Sequence, residues 1–270
     1  MEYQISLFDA NLKKAEDDNT KLKILLWNIQ NPSTDRARKQ IDWITKINPD
    51  ILILTEVKDS NGFSVIRGQL EFIGYKFIYH KCNNYFTVIA LKNINYKEKE
   101  MDIGLERQRI VFIELDIFIG KVGLIGAYVP TNSRETERLI MKKDFQDNFI
   151  SEVKKILIED GGNLNLIIGG DLNILEPNHR PRYPQFDRWN YFYNFFADNG
   201  LIDIFKFLNP DKREYSWQGH GESQRLDYVF ISKDIIKYIS NCEYLHYPIF
   251  NKLSDHSAMM IVLDKNRVNS

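Results

Sequence analysis

With 270 residues, 43% hydrophobic content, 17 phenylalanines and 14 tyrosines, the chain can bury one substantial core, and its composition argues against disorder. A formal net charge of −1 excludes a uniformly basic nucleic-acid binder and leaves only a local basic track. Arg134, Arg138, Lys142, Lys143, Arg180, Arg182 and Arg188 either form such a track or are ordinary solvated charges. The two cysteines, Cys82 and Cys242, have neither metal-motif spacing nor a dense disulfide framework. No apolar run has transmembrane length and no basic start precedes an apolar signal core, so the expectation is a cytoplasmic protein without membrane insertion.

Residues 1–21 read as an extension, in which Leu7, Phe8 and Leu12 suit a short helix before the polar boundary Glu16-Asp17-Asp18-Asn19. Residues 22–27 form a buried strand. Thr34 or Asp35 then caps a helix whose Ile41, Ile44 and Ile47 make an apolar stripe that stops near Pro49. Residues 51–54 form a second buried strand, which delivers Glu56 at its far end. β-branched and aromatic content predicts strands at 76–79, 86–91, 110–115 and 122–128. A helix follows over 135–157, broken by Gly161-Gly162-Asn163 before a strand at 164–168. A loop with Pro177, Pro181 and Pro184 leads to an aromatic helix over 188–197, and the last strands fall at 225–231, 243–247 and 259–263. This order does not match repeated strand–helix units around one parallel barrel. It favours an α/β fold with two packed mixed sheets covered by helices, as one domain over 22–264 with a polar tail at 265–270.

Polar islands recur near the strand ends. Gly169-Gly170 opens the strand at 164–168 into a loop carrying Asp171 and Asn173, which either orient or deprotonate an attacking water or merely close an Asx turn. Glu56 follows the apolar run Ile51-Leu52-Ile53-Leu54, where a carboxylate is either exposed or held by a hard divalent cation. Asn28 joins the same metal network or phosphate contact, or caps the backbone. His256 stands beside Asp255, and adjacent residues in extended chain point apart, so the two can divide phosphate contact from metal binding. Asp227 is then the carboxylate that orients His256 and favours its charged form; the alternative is a polar turn at Ser254-Asp255-His256. Tyr128, Arg225 and Tyr228 are either phosphate contacts or sheet anchors, and Trp217 with Tyr215 is either a base-stacking surface or core.

In order, Leu26-Trp27-Asn28, Leu54-Thr55-Glu56, Ala127-Tyr128-Val129-Pro130-Thr131-Asn132, Gly170-Asp171-Leu172-Asn173, Arg225-Leu226-Asp227-Tyr228 and Ser254-Asp255-His256 resemble the endonuclease/exonuclease/phosphatase superfamily, in particular its exonuclease III-like and apurinic/apyrimidinic endonuclease branch. The resemblance covers about residues 22–264. It implies a four-layer α/β sandwich, divalent-metal dependence and phosphoester hydrolysis. It makes Glu56 a metal ligand helped by Asn28 and Asp255, and assigns the attacking water to Asp171 with Asn173 nearby. His256, oriented by Asp227, stabilises the attacked phosphate; Tyr128 positions phosphate or leaving group; Arg225, Trp217 and Asn132 are the expected substrate contacts. Two features depart from the repair-enzyme pattern. Residues 218–224 are shorter than the DNA-contacting insertion typical of that branch, with Gln224 where many members carry an aromatic residue, and Asn84-Tyr85-Phe86-Thr87 lacks the usual glycine.

The sequence therefore predicts magnesium-dependent hydrolysis of DNA phosphodiester bonds, as a 3′ exonuclease or abasic-site endonuclease, with Mn2+ as a substitute ion and no obligate protein partner. The alternatives are a relative acting on RNA, a phosphorylated lipid or a small phosphoester, and a catalytically silent nucleic-acid- or protein-binding domain.

Overall fold

The computed structural model describes residues 20–159, 161, 164–219 and 221–269. The helix expected around Leu7, Phe8 and Leu12, and Gly162 and Asn163 of the expected break, lie outside the described residues. One sheet contains β1 (Lys21–Asn28), β2 (Ile51–Val57), β3 (Lys76–Ile78), β4 (Phe86–Leu91), β13 (Ile239–Leu245) and β14 (Ala258–Asp264), in the order β13-β14-β1-β2-β4-β3. The other contains β5 (Asn95–Lys99), β6 (Ile110–Ile117), β7 (Gly120–Tyr128), β8 (Asn165–Asp171), β9 (Leu201–Asp203) and β12 (Asp227–Ser232), in the order β5-β6-β7-β8-β12-β9. Between β9 and β12 in sequence, β10 (Trp217–Gly219) and β11 (Glu222–Gln224) make a small separate hairpin.

Both sheets are mixed. β1 pairs parallel with β2, and β7 parallel with β8; the other pairings are antiparallel. A parallel pair needs a crossover, and helices α1 (Thr34–Ile47) and α3 (Thr136–Glu159) supply the two. Alternation along each strand then builds four layers. Ile24 and Leu26 of β1 and Ile51 and Ile53 of β2 join Ile113, Leu124, Ile167 and Val229 in the core between the sheets. The intervening Leu25, Trp27, Leu52 and Leu54 face outward onto α1 and α2 (Asn61–Phe72), meeting Ile41, Ile44, Phe63 and Ile66. On the opposite outer face, Leu166 and Ile168 of β8 pack with Phe145, Phe149 and Val153 of α3 and Phe192 and Phe196 of α4 (Asn190–Asp198). Strands buried on both faces read as unbroken apolar runs, which is the pattern of the sequence. No helix among the described residues is long and apolar enough to cross a membrane.

Several expectations need correction. Ser33, not Thr34 or Asp35, caps α1, its side chain accepting from the Arg36 amide. β8 does not open at Gly169-Gly170 but continues to Asp171. A Cβ on Gly170 would lie 1.7 Å from the Ala127 carbonyl oxygen, so the glycine permits close strand approach and not a loop. β2 likewise runs past Leu54 to Val57, with a register shift that places Glu56 in a bulge at φ 53°. β12 begins at Asp227, leaving Arg225 outside it, and Tyr247 opens the short helix α6 (Tyr247–Phe250) after β13 has ended. α2, β5, β9, the β10–β11 hairpin and the short helix α5 (Ile204–Leu208) are elements that the sequence pattern did not predict.

Candidate active site

Strand register assembles the site. Tyr128 at the end of β7 stands opposite Asp171 at the end of β8, and Asp171 stands opposite Asp227 at the start of β12. In the other sheet Asn28, ending β1, is beside Thr55 of β2, and the bulge redirects Glu56. His256, just before β14, is bridged to Trp217. Each island thus comes to the facing ends of the two sheets for a reason set by pairing, although the islands are far apart in sequence.

The side chains form a continuous network. The Asn28 amide nitrogen donates to Asp171 Oδ2 at 2.9 Å and lies 3.3 Å from His256 Nε2. The backbone N–H of Gln30 donates to Asn28 Oδ1 at 3.0 Å, which fixes the orientation of the amide. Asp227 Oδ2 lies 2.7 Å from His256 Nδ1, and His256 Nε2 is 3.9 Å from Asp171 Oδ2. The Tyr128 hydroxyl donates to Glu56 Oε1 at 3.0 Å. One ligand atom from each of Glu56, Asp171 and His256 lies within 4.8 Å of the others.

Burial and crowded acids set the proton affinities. Burial raises the Asp171 carboxyl, the Asp227 charge raises it further, and His256 opposes them, leaving it well above the usual carboxylate range. Burial alone lowers His256, but the Asp227 carboxylate, then Asp171 and Asp255, more than reverse this and raise the imidazole to about 10. Tyr128 is held protonated by burial and then by the nearby Glu56 and Asp171. The donor set fits a hard divalent cation. Asp227 Oδ1 and Asp255 Oδ1 are buried without a hydrogen-bond partner, which is costly for carboxylate oxygens, and such cations take oxygen ligands.

The expected ligands are arranged differently from one another. Glu56 joins the close cluster, whereas Asn28 meets it through its NH2 group because its oxygen is taken by Gln30. Asp255 Oδ2 accepts the Trp217 indole N–H at 3.0 Å. Asn173, at φ 49°, donates its amide to Val129 O at 2.9 Å and its backbone N–H to Asp171 Oδ1 at 3.1 Å, so the Asx turn and the polar cluster coexist in one segment. Asn132 accepts from the Trp189 indole at 3.0 Å and donates to the Gln185 carbonyl oxygen at 3.5 Å. Arg225 is fully buried, with its guanidinium against Asp203 and Glu176. Lys142 is corrected as a member of a basic track: it is completely buried, donating to Asn173 O at 2.6 Å beneath the Trp189 ring. Arg134, Arg138, Lys143, Arg180, Arg182 and Arg188 are exposed; among them Arg138 pairs with Glu135, Lys143 with Asp147 and Arg182 with Asp187.

Sequence reasoning missed Ser216, whose hydroxyl accepts from the Leu226 and Asp227 backbone N–H groups, each at 2.9 Å, and so fixes the start of β12. It also missed Arg109, whose guanidinium lies 4.7 Å from the centre of the Tyr128 ring, and the turn Gln30-Asn31 with Arg36. Asn31-Pro32-Ser33 was a legible turn signal after Asn28; nothing local marks Ser216.

The endonuclease/exonuclease/phosphatase family model matches residues 25–256. A DNA-(apurinic or apyrimidinic site) endonuclease of Dictyostelium discoideum is 23% identical over 288 aligned positions, covering 97% of this chain and 76% of that protein. A DNA repair nuclease of Danio rerio is 24% identical, covering 80% of this chain and 74% of that protein. Among solved structures, an AP endonuclease from Leishmania major superposes with a TM-score of 0.74 at 18% identity, covering 93% of this chain and 91% of that one. A 3′ phosphatase from Neisseria bound to product DNA hairpin gives 0.71 at 17% identity, covering 90% and 99%. The likeness of fold and the family match over nearly the whole described chain agree with the ordered islands: the chain belongs to the endonuclease/exonuclease/phosphatase family.

Proposed function

We propose that the protein is a magnesium-dependent DNA phosphodiesterase, a 3′ exonuclease or abasic-site endonuclease, that accepts Mn2+ in place of Mg2+ and works in the cytoplasm without an obligate protein partner. The carrying observation is the approach of Glu56, Asp171 and His256 donor atoms within 4.8 Å, with Asp227 behind His256. The DNA-(apurinic or apyrimidinic site) endonuclease and the DNA repair nuclease among its relatives support DNA as the substrate.

In this reading Glu56 and Asp255 would hold the cation, and Asn28 acts by orienting Asp171. When bound, the ion supplies charge neutralisation at the phosphate oxygens and at the departing alkoxide. Asp171, whose proton affinity is raised, aligns water and takes its proton. His256, kept cationic by Asp227, receives the negative charge that gathers on the phosphate oxygens. Tyr128, protonated and braced by Glu56, offers a hydroxyl to the phosphate or leaving group. Water displaces the leaving oxygen directly, with no covalent enzyme intermediate.

One observation favours a second reading. The β10–β11 hairpin is only three residues per strand, so little chain is available there to hold an abasic duplex. That favours RNA, a phosphorylated lipid or a small phosphoester. A magnesium-dependent cleavage panel separates the two, comparing intact duplex, abasic duplex, recessed 3′ ends, RNA, and phosphorylated lipids and sugars. Cleavage of a DNA arm is expected; turnover confined to lipid or sugar phosphate overturns the DNA reading.

A further inference from the structure

Four of the seven non-glycine residues with positive φ among the described residues fall at or beside this site: Gln30 at 52°, Asn31 at 33°, Glu56 at 53° and Asn173 at 49°. Such backbone persists only where the surroundings over-determine it. For Gln30 and Asn31 the surroundings are one side chain. Arg36, in the first turn of α1, donates from Nη1 to Gln30 Oε1 at 3.0 Å, from Nη2 to Gln30 O, and from Nη2 to Asn31 O at 3.2 Å. The turn so held passes two contacts on to the site. Gln30 N–H donates to Asn28 Oδ1 at 3.0 Å, and Asn31 N–H donates to the Glu56 carbonyl oxygen at 2.9 Å. On the far side the Pro32 carbonyl is packed so closely on Gly62 that a Cβ there would lie 1.9 Å away.

We propose that Arg36 is a positioning residue: it staples the Gln30-Asn31 turn and thereby sets both the Asn28 amide that faces Asp171 and the bulge that carries Glu56. The inference rests on the metal-dependent reading above for its functional consequence, but the staple itself stands on geometry alone. The planar guanidinium suits the task because its N–H groups diverge in a fixed fork, able to serve two carbonyls and one amide oxygen at once. Its placement is otherwise unfavourable: a cation in the first turn of a helix opposes the helix dipole. Burial adds to that cost, and the charges of Asp255 and Glu56 offset part of it. The same guanidinium therefore contributes positive charge beside the acidic cluster without entering it.

Amide hydrogen exchange on the free protein reads the staple directly. In Arg36→Met the Gln30 and Asn31 amides should lose protection by about tenfold or more, while the β1 core amides at Ile24 and Leu26 keep theirs. Mn2+ affinity, followed by calorimetry without nucleic acid, should weaken by about 10–100-fold, the scale seen when partners that orient metal ligands are removed. Arg36→Lys restores neither, because one ammonium lacks the fork. Arg38→Ala removes an equal charge from an exposed arginine paired with Asp35 and changes neither. If Arg36→Met does not fold, Arg36→Gln carries the same measurements. Unchanged protection of Gln30 and Asn31 overturns the proposal, as does lost protection with unchanged Mn2+ affinity, or full rescue by Arg36→Lys. If the parent protein binds no Mn2+, the metal-dependent reading fails, and the exchange arm still decides whether Arg36 holds the turn.

Discussion

Two buried charged clusters among the described residues are built in opposite ways. Arg225 takes both Asp203 oxygens, with Nη1 to Oδ1 at 3.1 Å and Nη2 to Oδ2 at 2.5 Å, and reaches Glu176 Oε2 at 2.6 Å. Its guanidinium lies 4.3 Å from the centre of the Tyr228 ring, and Tyr193 donates to Asp203 Oδ2 at 3.0 Å. Apart from Arg225 Nε, that cluster satisfies itself. Around His256 the arrangement is unbalanced: Asp171, Asp227 and Glu56 gather about one imidazole, with Arg36 only beside them, and oxygens of Asp227 and Asp255 are left without donors. Left-handed backbone accompanies the second cluster, at Glu56 and Asn173, and is absent from Arg225, Asp203 and Glu176. A closed ion-pair network locks loop to sheet; an open one keeps charge in reserve for a ligand.

The sharpest way to break this contrast is to neutralise one member of each cluster. Asp171→Asn should lower kcat by about 10²–10⁴, the usual worth of a positioned general base. Its thermal midpoint should stay level or rise, because one of several crowded carboxylates has gone. A fall in stability with normal turnover would place Asp171 in the structural class. Arg225→Met should do the reverse. It leaves Asp203 and Glu176 buried without their cation, a loss of about 3–5 kcal/mol by urea denaturation, while turnover per folded molecule is retained. Reduced kcat in fully folded Arg225→Met would support Arg225 as a substrate contact.

The smallest effect concerns Lys142, which belongs to neither cluster but touches Asn173. Burial lowers its ammonium to about 7, opposed by the Asp171 charge, against 10.5 for an ordinary lysine. Below pH 7 both folded and unfolded chains hold the proton and the burial penalty is felt in full. Between about 7 and 10.5 the unfolded chain binds more protons than the folded one, so stability rises with pH across that window. The parent should therefore gain stability relative to Lys142→Met between pH 7 and 9.5. Parallel denaturation curves at the two pH values would show that Lys142 does not titrate there.

Much of this contrast was legible before folding, and the rest was hidden for definite reasons. Asn28, Glu56, Asp171, Asp227 and His256 each follow or precede an apolar run, where an ionisable or amide group is conspicuous. Arg225 looked equally conspicuous beside Asp227, and its burial against Asp203 and Glu176 depends on partners 22 and 49 residues away. Lys142 looked like one more exposed helical cation because the polar residues around it conceal its inward face. β5 was invisible because Asn95-Tyr96-Lys97-Glu98-Lys99 is polar, and only its pairing along β6 makes it a strand. Gly169-Gly170 read as a break because a glycine pair signals a turn, whereas the need was room for the Ala127 backbone.

By itself the sequence determined two mixed sheets covered by helices, since strands buried on both faces read as apolar runs and their helices carry an apolar stripe. It also determined which chemical groups stand at the strand ends. Only the tertiary structure decided which of them meet. Asp171 reaches Tyr128 and Asp227 through parallel pairing on one side and antiparallel pairing on the other, and that register is fixed by long-range burial. The bulge at Glu56 and the Arg36-held turn depend on bonds between segments that local propensity cannot see.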